Sequence, residues 1–163
     1  ETFSVKSMCK VAGYCNTNDS FHQTALSDDG NGPFLAMQGA LKMSNIPVSS
    51  IDYINMHGTG TQNNDHAEGR AIERIFHPSY PKLSSTKSFT GHTLGASGAI
   101  EAVFSSMAIR DGLIFPNFSF SKTIEGLHIK PEIAFQKNVN INHVLSNSFG
   151  FGGNCTSLIF SKS

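Results

Sequence analysis

Two histidines, one lysine and several small hydroxyl residues stand where apolar runs of this chain end. His57 closes the run Tyr53, Ile54, Met56 and opens "HGTGT", His57 to Thr61. Lys87 and His92 lie together in "STKSFTGHTLGASG", Ser85 to Gly98. A third stretch, "NSFGFGGN", spans Asn147 to Asn154. All three fall at the ends of expected strands, where α/β proteins keep their sites. A histidine there can form hydrogen bonds or ligate a metal. Metal binding is disfavoured, because there is no His-Glu-x-x-His and neither histidine has a close second ligand. "GHTLGASG" precedes a helix, a place where anions bind. It lacks the Gly-Lys-Ser/Thr of a phosphate loop and the spacing of a dinucleotide fingerprint. Taken singly, each residue has a plain reading. His57 and His92 would be hydrogen-bonded loop histidines, Lys87 a surface lysine, and Phe149 and Phe151 core plugs in a tight glycine hairpin. His22, His66, His77, His128 and His143 sit among polar residues and are expected to be solvated.

The elements that must position these residues follow from periodicity. Phe3 to Thr17 reads as a strand. "GPFLAMQGALKMSN" puts Leu35, Met37, Ala40, Leu41 and Ser44 on helical spacing, with Pro33 in the first turn. "IDYINMH" reads as a buried strand. Asn64 or Asp65 is expected to cap a helix whose Ala67, Ala71, Ile72, Ile75 and Phe76 face inward. "KLSSTKS" is a short strand. "TLGASGAIEAVFSSMAIRDG" is a helix, apolar almost all round and rich in small residues, expected to be buried on most faces. The last two strands, "HVLSNS" and "CTSLIF", are joined by the Phe-Gly-Phe-Gly-Gly-Asn turn. Strands alternating with helices give an α/β class built in layers.

Composition narrows the function. The chain has 163 residues, enough for one domain or half of a large one. Its formal net charge is +0 and only 15% of residues are charged, so nothing argues for nucleic acid. No apolar run approaches the roughly 18 residues of a membrane span. Cys9, Cys15 and Cys155 have no metal spacing and read as reduced, buried residues of a cytoplasmic protein. The chain opens at Glu1 on strand-like sequence, as expected of a piece of a longer protein.

Together the three stretches resemble the C-terminal half of the β-ketoacyl synthases, the condensing enzymes of fatty acid and polyketide synthesis. "YINMHGTGTQNNDHAEGRAI" resembles the family's first histidine motif. "STKSFTGHTLGASGAIEA" resembles its lysine and second-histidine motif, and "LSNSFGFGGNCTSLIF" its glycine-rich C-terminal motif. The resemblance runs from Ala12 to Phe160. It implies a thiolase-like layered αβαβα fold, of which residues 1–163 are the C-terminal half only. Two departures stand beside the site. Asn64 replaces a frequent glycine, and Gly153, Asn154 and Cys155 stand where the family often has Gly-Gly-Thr-Asn. The family's nucleophilic cysteine belongs to the N-terminal half, and none of the three cysteines here has its context.

The resemblance implies a decarboxylative condensation between malonyl on acyl carrier protein and an acyl thioester. His57 and His92 would donate neutral ring N–H groups to the enolate oxygen. Lys87 would keep both imidazoles uncharged and support His92. Thr59 and Thr61 would bind the amides of a phosphopantetheine arm, with Phe149 among the substrate contacts. Glu68 would hold the site together. Phe151 would supply an oxyanion-hole N–H and a gating ring. No cofactor or metal is implied beyond the carrier's own arm. The expected partners are acyl carrier protein, the chain's own N-terminal half and a second copy in a homodimer, with no nucleic acid and no membrane. A non-catalytic chain-length-factor subunit is the alternative. Thiolase chemistry is disfavoured, because "GFGGN" carries neither a Cys-x-Gly nor a matching histidine.

Overall fold

The computed structural model describes residues 7–118 and 120–163. Five strands form one mixed sheet: β1 (Lys10–Asn18), β2 (Tyr53–Asn55), β3 (Lys82–Ser84), β4 (His143–Phe149) and β5 (Asn154–Ser161), in the order β1-β5-β4-β2-β3. β1, β5 and β4 pair antiparallel, while β4, β2 and β3 run parallel. The helices are α1 (Asn31–Ser44), α2 (Gln62–Phe76), the one-turn α3 (Lys87–Thr90) and α4 (Ser97–Asp111).

Alternation along the strands builds two cores. Ile54, Leu145 and Ile159 face one way and pack with Met37 and Leu41 of α1 and Ile72 and Phe76 of α2. Their neighbours Tyr53, Val144 and Phe160 face the other way and pack with Ala108 and Ile109 of α4. The result is a helix–sheet–helix sandwich, the layered α/β class read from the sequence.

Several local expectations are corrected. The first strand begins at Lys10 rather than Phe3; Phe3 to Lys6 lie outside the described residues. Leu35 is 41% exposed, because Ala36 and Met37 take the inward face of α1. The cap position of α2 is Thr61, not Asn64 or Asp65. Asp65 lies in the first turn, where its carboxylate accepts the Gly60 N–H at 3.2 Å. "KLSSTKS" is strand only to Ser84, then turns into α3.

The helix expected from Thr93 begins at Ser97, after a 3-10 turn at Leu94–Ala96. It is not buried on most faces. Ser97, Glu101, Ser105, Ala108 and Ile109 form one buried stripe, while Val103 is 60% exposed. One sheet covers one face of a helix, so the stripe is as wide as a single contact allows.

Of the cysteines only Cys155 is buried; Cys9 and Cys15 are half-buried, and all three are free thiols. His22, His77 and His128 are exposed, but His66 and His143 are half-buried. The His143 Nδ1 lies 2.9 Å from the Ser161 hydroxyl.

Candidate active site

The parallel strands β2, β3 and β4 all end at one edge of the sheet, and each carries a motif there. His57 follows β2 by two residues, Lys87 follows β3 by three, and Phe149 ends β4. The chain must turn sharply after β2. Gly58 adopts φ +44°, and a Cβ on it would stand 2.5 Å from the Ser85 Cβ. Glycine is needed there on both counts.

His57 is 4% exposed. The Lys87 ammonium reaches its Nδ1 at 3.1 Å and its carbonyl oxygen at 2.6 Å. The third Lys87 hydrogen goes to the Glu101 carboxylate. An ammonium has three donors and no acceptor. With Lys87 donating to Nδ1, the neutral His57 ring carries its hydrogen on Nε2. Burial first, then the charges of Lys87 and His92, push the His57 pKa down to about 3. The ring therefore stays neutral at physiological pH.

His92 packs edge-on to His57, with ring centroids 5.4 Å apart. Its Nδ1 accepts the Leu94 N–H at 3.2 Å, so neutral His92 also carries its hydrogen on Nε2. Unlike His57, His92 is exposed. The Phe149 ring, expected among the substrate contacts, is buried with its centroid 5.4 Å from that of His57. It is a wall for the imidazole, set by its inward position on β4.

Glu68 reaches back from α2 to the β2 loop. Its Oε1 accepts the His57 N–H at 2.9 Å and its Oε2 the Gly58 N–H at 2.9 Å. Asn147 Nδ2 donates to Oε1 at 3.0 Å, and the Ser157 hydroxyl donates to the Asn147 Oδ1 at 2.7 Å. Burial pushes the Glu68 pKa up to about 7, against the lowering by these N–H groups and by Lys87.

The remaining expected residues stand further out. Thr59 and Thr61 share a hydrogen bond of 2.9 Å between hydroxyls. Phe151 is 80% exposed, so it plugs no core formed by this chain's own residues. Its 3-10 turn is pinned by the Gly152 N–H donating to the Gln23 carbonyl at 2.7 Å and by Asn18 Nδ2 donating to the Gly152 carbonyl at 2.8 Å. A cavity of about 420 Å³ opens between Thr59, Asp65, Lys87, Asn117, Phe120 and Leu127, but His57, His92, Thr61 and Phe151 do not line it.

Sequence reading passed over Glu101, Ser97, Asn147 and Ser148. Glu101 accepts from Ser97 at 3.0 Å and from Ser148 at 2.6 Å as well as from Lys87. A signal existed: a lone glutamate inside an apolar helix must find a partner when buried. Among the described residues there is no cluster of three or more potential metal ligands.

The family described as "Beta-ketoacyl synthase, C-terminal domain" matches residues 8–121. The 3-oxoacyl-[acyl-carrier-protein] synthase 2 of Rhizobium meliloti (strain 1021) is 44% identical over 161 residues, covering 96% of this chain and 38% of the relative. That of Vibrio harveyi is 36% identical, over 96% of this chain and 39% of its own. Among solved structures, the ishigamide ketosynthase/chain length factor superposes with a TM-score of 0.89 at 30% identity, over 98% of this chain and 39% of that one. A ketosynthase (ApeO) in complex with its chain length factor (ApeC) from Xenorhabdus doucetiae gives 0.87 at 36% identity, over 98% and 40%. The chain thus spans about two-fifths of the length of these relatives. Its fold is the thiolase-like fold expected from the motifs, and the chain belongs to the β-ketoacyl synthases, matching their C-terminal domain.

Proposed function

We propose that residues 1–163 are the C-terminal half of a condensing enzyme that extends an acyl thioester with malonyl carried on acyl carrier protein. The observation that carries this is the engagement of both Nδ1 atoms, which leaves His57 and His92 with Nε2–H donors at the end of the parallel strands. The malonyl carbon–carboxylate bond breaks, carbon dioxide leaves, and the electron pair becomes an enolate. The two N–H groups stabilise the charge on its oxygen, each worth about 3 kcal/mol by comparison with other oxyanion donors. The enolate carbon then attacks the acyl carbonyl, and the cysteine thiolate that held the acyl group departs.

That cysteine would come from an N-terminal half outside this chain. The Cys155 thiol is buried and its pKa is pushed up to about 12, so it is no nucleophile. This piece would be inactive by itself. Lys87 keeps His57 neutral, Glu68 ties the His57 loop to α2, and Thr59 and Thr61 meet the phosphopantetheine arm. Phe151 would offer its backbone N–H to the acyl oxyanion and its exposed ring as a gate. The reaction proposed needs no cofactor of its own, because the substrate rides on the carrier's phosphopantetheine arm. A curated relative named 3-oxoacyl-[acyl-carrier-protein] synthase 2 supports fatty acid synthesis as the setting. A 29% identical structure of a polyketide ketosynthase in complex with its acyl-carrier protein supports carrier docking. The whole protein would form a homodimer in the cytoplasm, where the free thiols stay reduced. No helix among the described residues is long and apolar enough to cross a membrane. A non-catalytic chain-length-factor subunit is the second reading, because solved structures similar to this chain include chain length factors. The buried lysine set on a neutral histidine favours the enzyme, since a scaffold has no use for it.

The test is carbon dioxide release from malonyl-carrier protein by the protein that carries this chain. His57→Ala and His92→Ala should each abolish release while acylation of the cysteine survives. Wild-type release from both variants would overturn the reading.

A further inference from the structure

We propose that Asn117 is a positioning residue that sets Lys87 against His57, acting through Ser85. Asn117 lies 30 residues beyond Lys87 in sequence, in the segment that follows α4. Its backbone N–H donates to the Glu132 carbonyl at 2.7 Å, and the Glu132 N–H donates to the Leu83 carbonyl at 2.8 Å. Glu132 thereby lies against the outer edge of β3, held further by Lys82 at 3.0 Å and Gln136 at 2.6 Å. Asn117 is thus anchored to the last strand before Lys87.

From that anchor the Asn117 Oδ1 accepts the Ser85 N–H at 3.1 Å. Ser85 is the first residue beyond β3 and is buried. Its hydroxyl accepts the Lys87 N–H at 3.3 Å and donates to the Gly58 carbonyl at 3.0 Å. Ser85 is therefore strapped to both loops, the one carrying His57 and the one carrying Lys87. Asn117 fixes the strap at its third corner. A buried N–H that loses its only acceptor must rotate toward another or stay unsatisfied. Rotation at Ser85 moves the Lys87 backbone two residues on, and with it the ammonium that sits 3.1 Å from His57 Nδ1.

Asn117 touches no reacting group, so its effect reaches turnover only through His57 and Lys87 acting as proposed above. The charged and titratable groups around His57 are Lys87 on α3, His92 beyond it and Glu68 on α2, with Glu101 of α4 acting through Lys87. Burial is the first cause of the lowered His57 pKa and the Lys87 charge the second, so a displaced Lys87 moves the protonation of His57 to higher pH while burial still holds it below its ordinary range.

The experiment uses the protein that carries this chain, with its acylatable cysteine. Asn117→Leu and Ser85→Ala, singly and combined, are assayed for carbon dioxide release from malonyl-carrier protein, and the His57 ring is titrated by NMR. Each single variant should lower kcat by about tenfold or more, as small displacements of catalytic groups do, with KM little changed. The double variant should be no slower than the slower single, because both break one strap. The His57 titration should move to higher pH in all three. Asn117→Asp keeps the accepting oxygen and should restore most of kcat; it also serves if Asn117→Leu fails to fold. Lower melting temperatures with unchanged kcat and unchanged His57 titration would overturn the assignment, as would additive losses. If the wild type releases no carbon dioxide, the functional reading fails, and the His57 titration alone then decides whether Asn117 sets the pair.

Discussion

Lys87 and Glu101 form an ion pair inside the protein, with side chains only 6% and 2% exposed. The pair joins α3 to α4 across the end of β4, whose Ser148 donates to the second Glu101 oxygen at 2.6 Å. It aims the ammonium at His57. Breaking one side of a buried pair costs more than removing both, because a charge is left without a counter-charge. Glu101→Ala should therefore destabilise the protein by about 3–5 kcal/mol, and Lys87→Met combined with Glu101→Leu should recover most of that. Chemical unfolding of the three proteins measures it. A loss under about 1 kcal/mol for Glu101→Ala, the scale of surface pairs, would show that water already reaches Lys87.

Glu68 makes stability depend on pH in an unusual direction for a carboxylate. Its folded pKa of about 7 lies above the ordinary 4.5. The folded state then binds the proton more tightly than the unfolded chain. Its contribution is fully present below pH 4.5 and is lost as pH rises through about 7. The size is about 3 kcal/mol across that window. Glu68→Gln cannot titrate, so the difference in unfolding free energy between wild type and variant should change across the same window. A difference that stays flat with pH would show that Glu68 ionises normally.

Phe151 should act on substrate choice rather than on stability. Phe151 is 80% exposed within this chain, and its turn is held by the Gln23 carbonyl and the Asn18 side-chain amide, not by its ring. In the protein that carries this chain, Phe151→Ala should shift the melting temperature little, since exposed truncations usually stay within about 0.5 kcal/mol. Preference among acyl chain lengths should loosen. A large drop in melting temperature with an unchanged chain-length panel would count against a gate.

The thiols should separate by reactivity. Burial first, then the charges of Asp19 and Glu68, hold the Cys155 thiol at a pKa of about 12. Iodoacetamide at neutral pH should modify the half-buried Cys9 and Cys15 and spare Cys155 until the fold opens. Labelled acyl-carrier protein should leave no thioester on any of the three. Mass spectrometry of the digested protein reads both outcomes, and early alkylation of Cys155 would contradict its placement.

Much of this protein is written in short-range pattern. The alternation of Tyr53 with Ile54 and of Val144 with Leu145 places two apolar faces on one sheet, because successive strand residues point to opposite sides. The period of Ala67, Ala71, Ile72 and Phe76 does the same for α2. The glycines around His57 and Phe151 mark the turns that end β2 and β4. These choices depend on neighbours within a few residues, so they were legible, as were the three motifs at the strand ends. Element starts were not: Lys10 rather than Phe3 begins β1, and Ser97 rather than Thr93 begins α4. Start positions depend on which partner strand or cap is within reach. The narrow buried stripe of α4 was hidden for a similar reason, since the residues alone do not say how many sheets cover a helix. Only the tertiary structure decided how the buried polar groups pair. Lys87 with Glu101, Asn147 with Glu68 and Asn117 with Ser85 are separated by 14, 79 and 32 residues. A buried donor or charge has to be matched, but its match is chosen by strand order, which brings β2, β3 and β4 together at one edge.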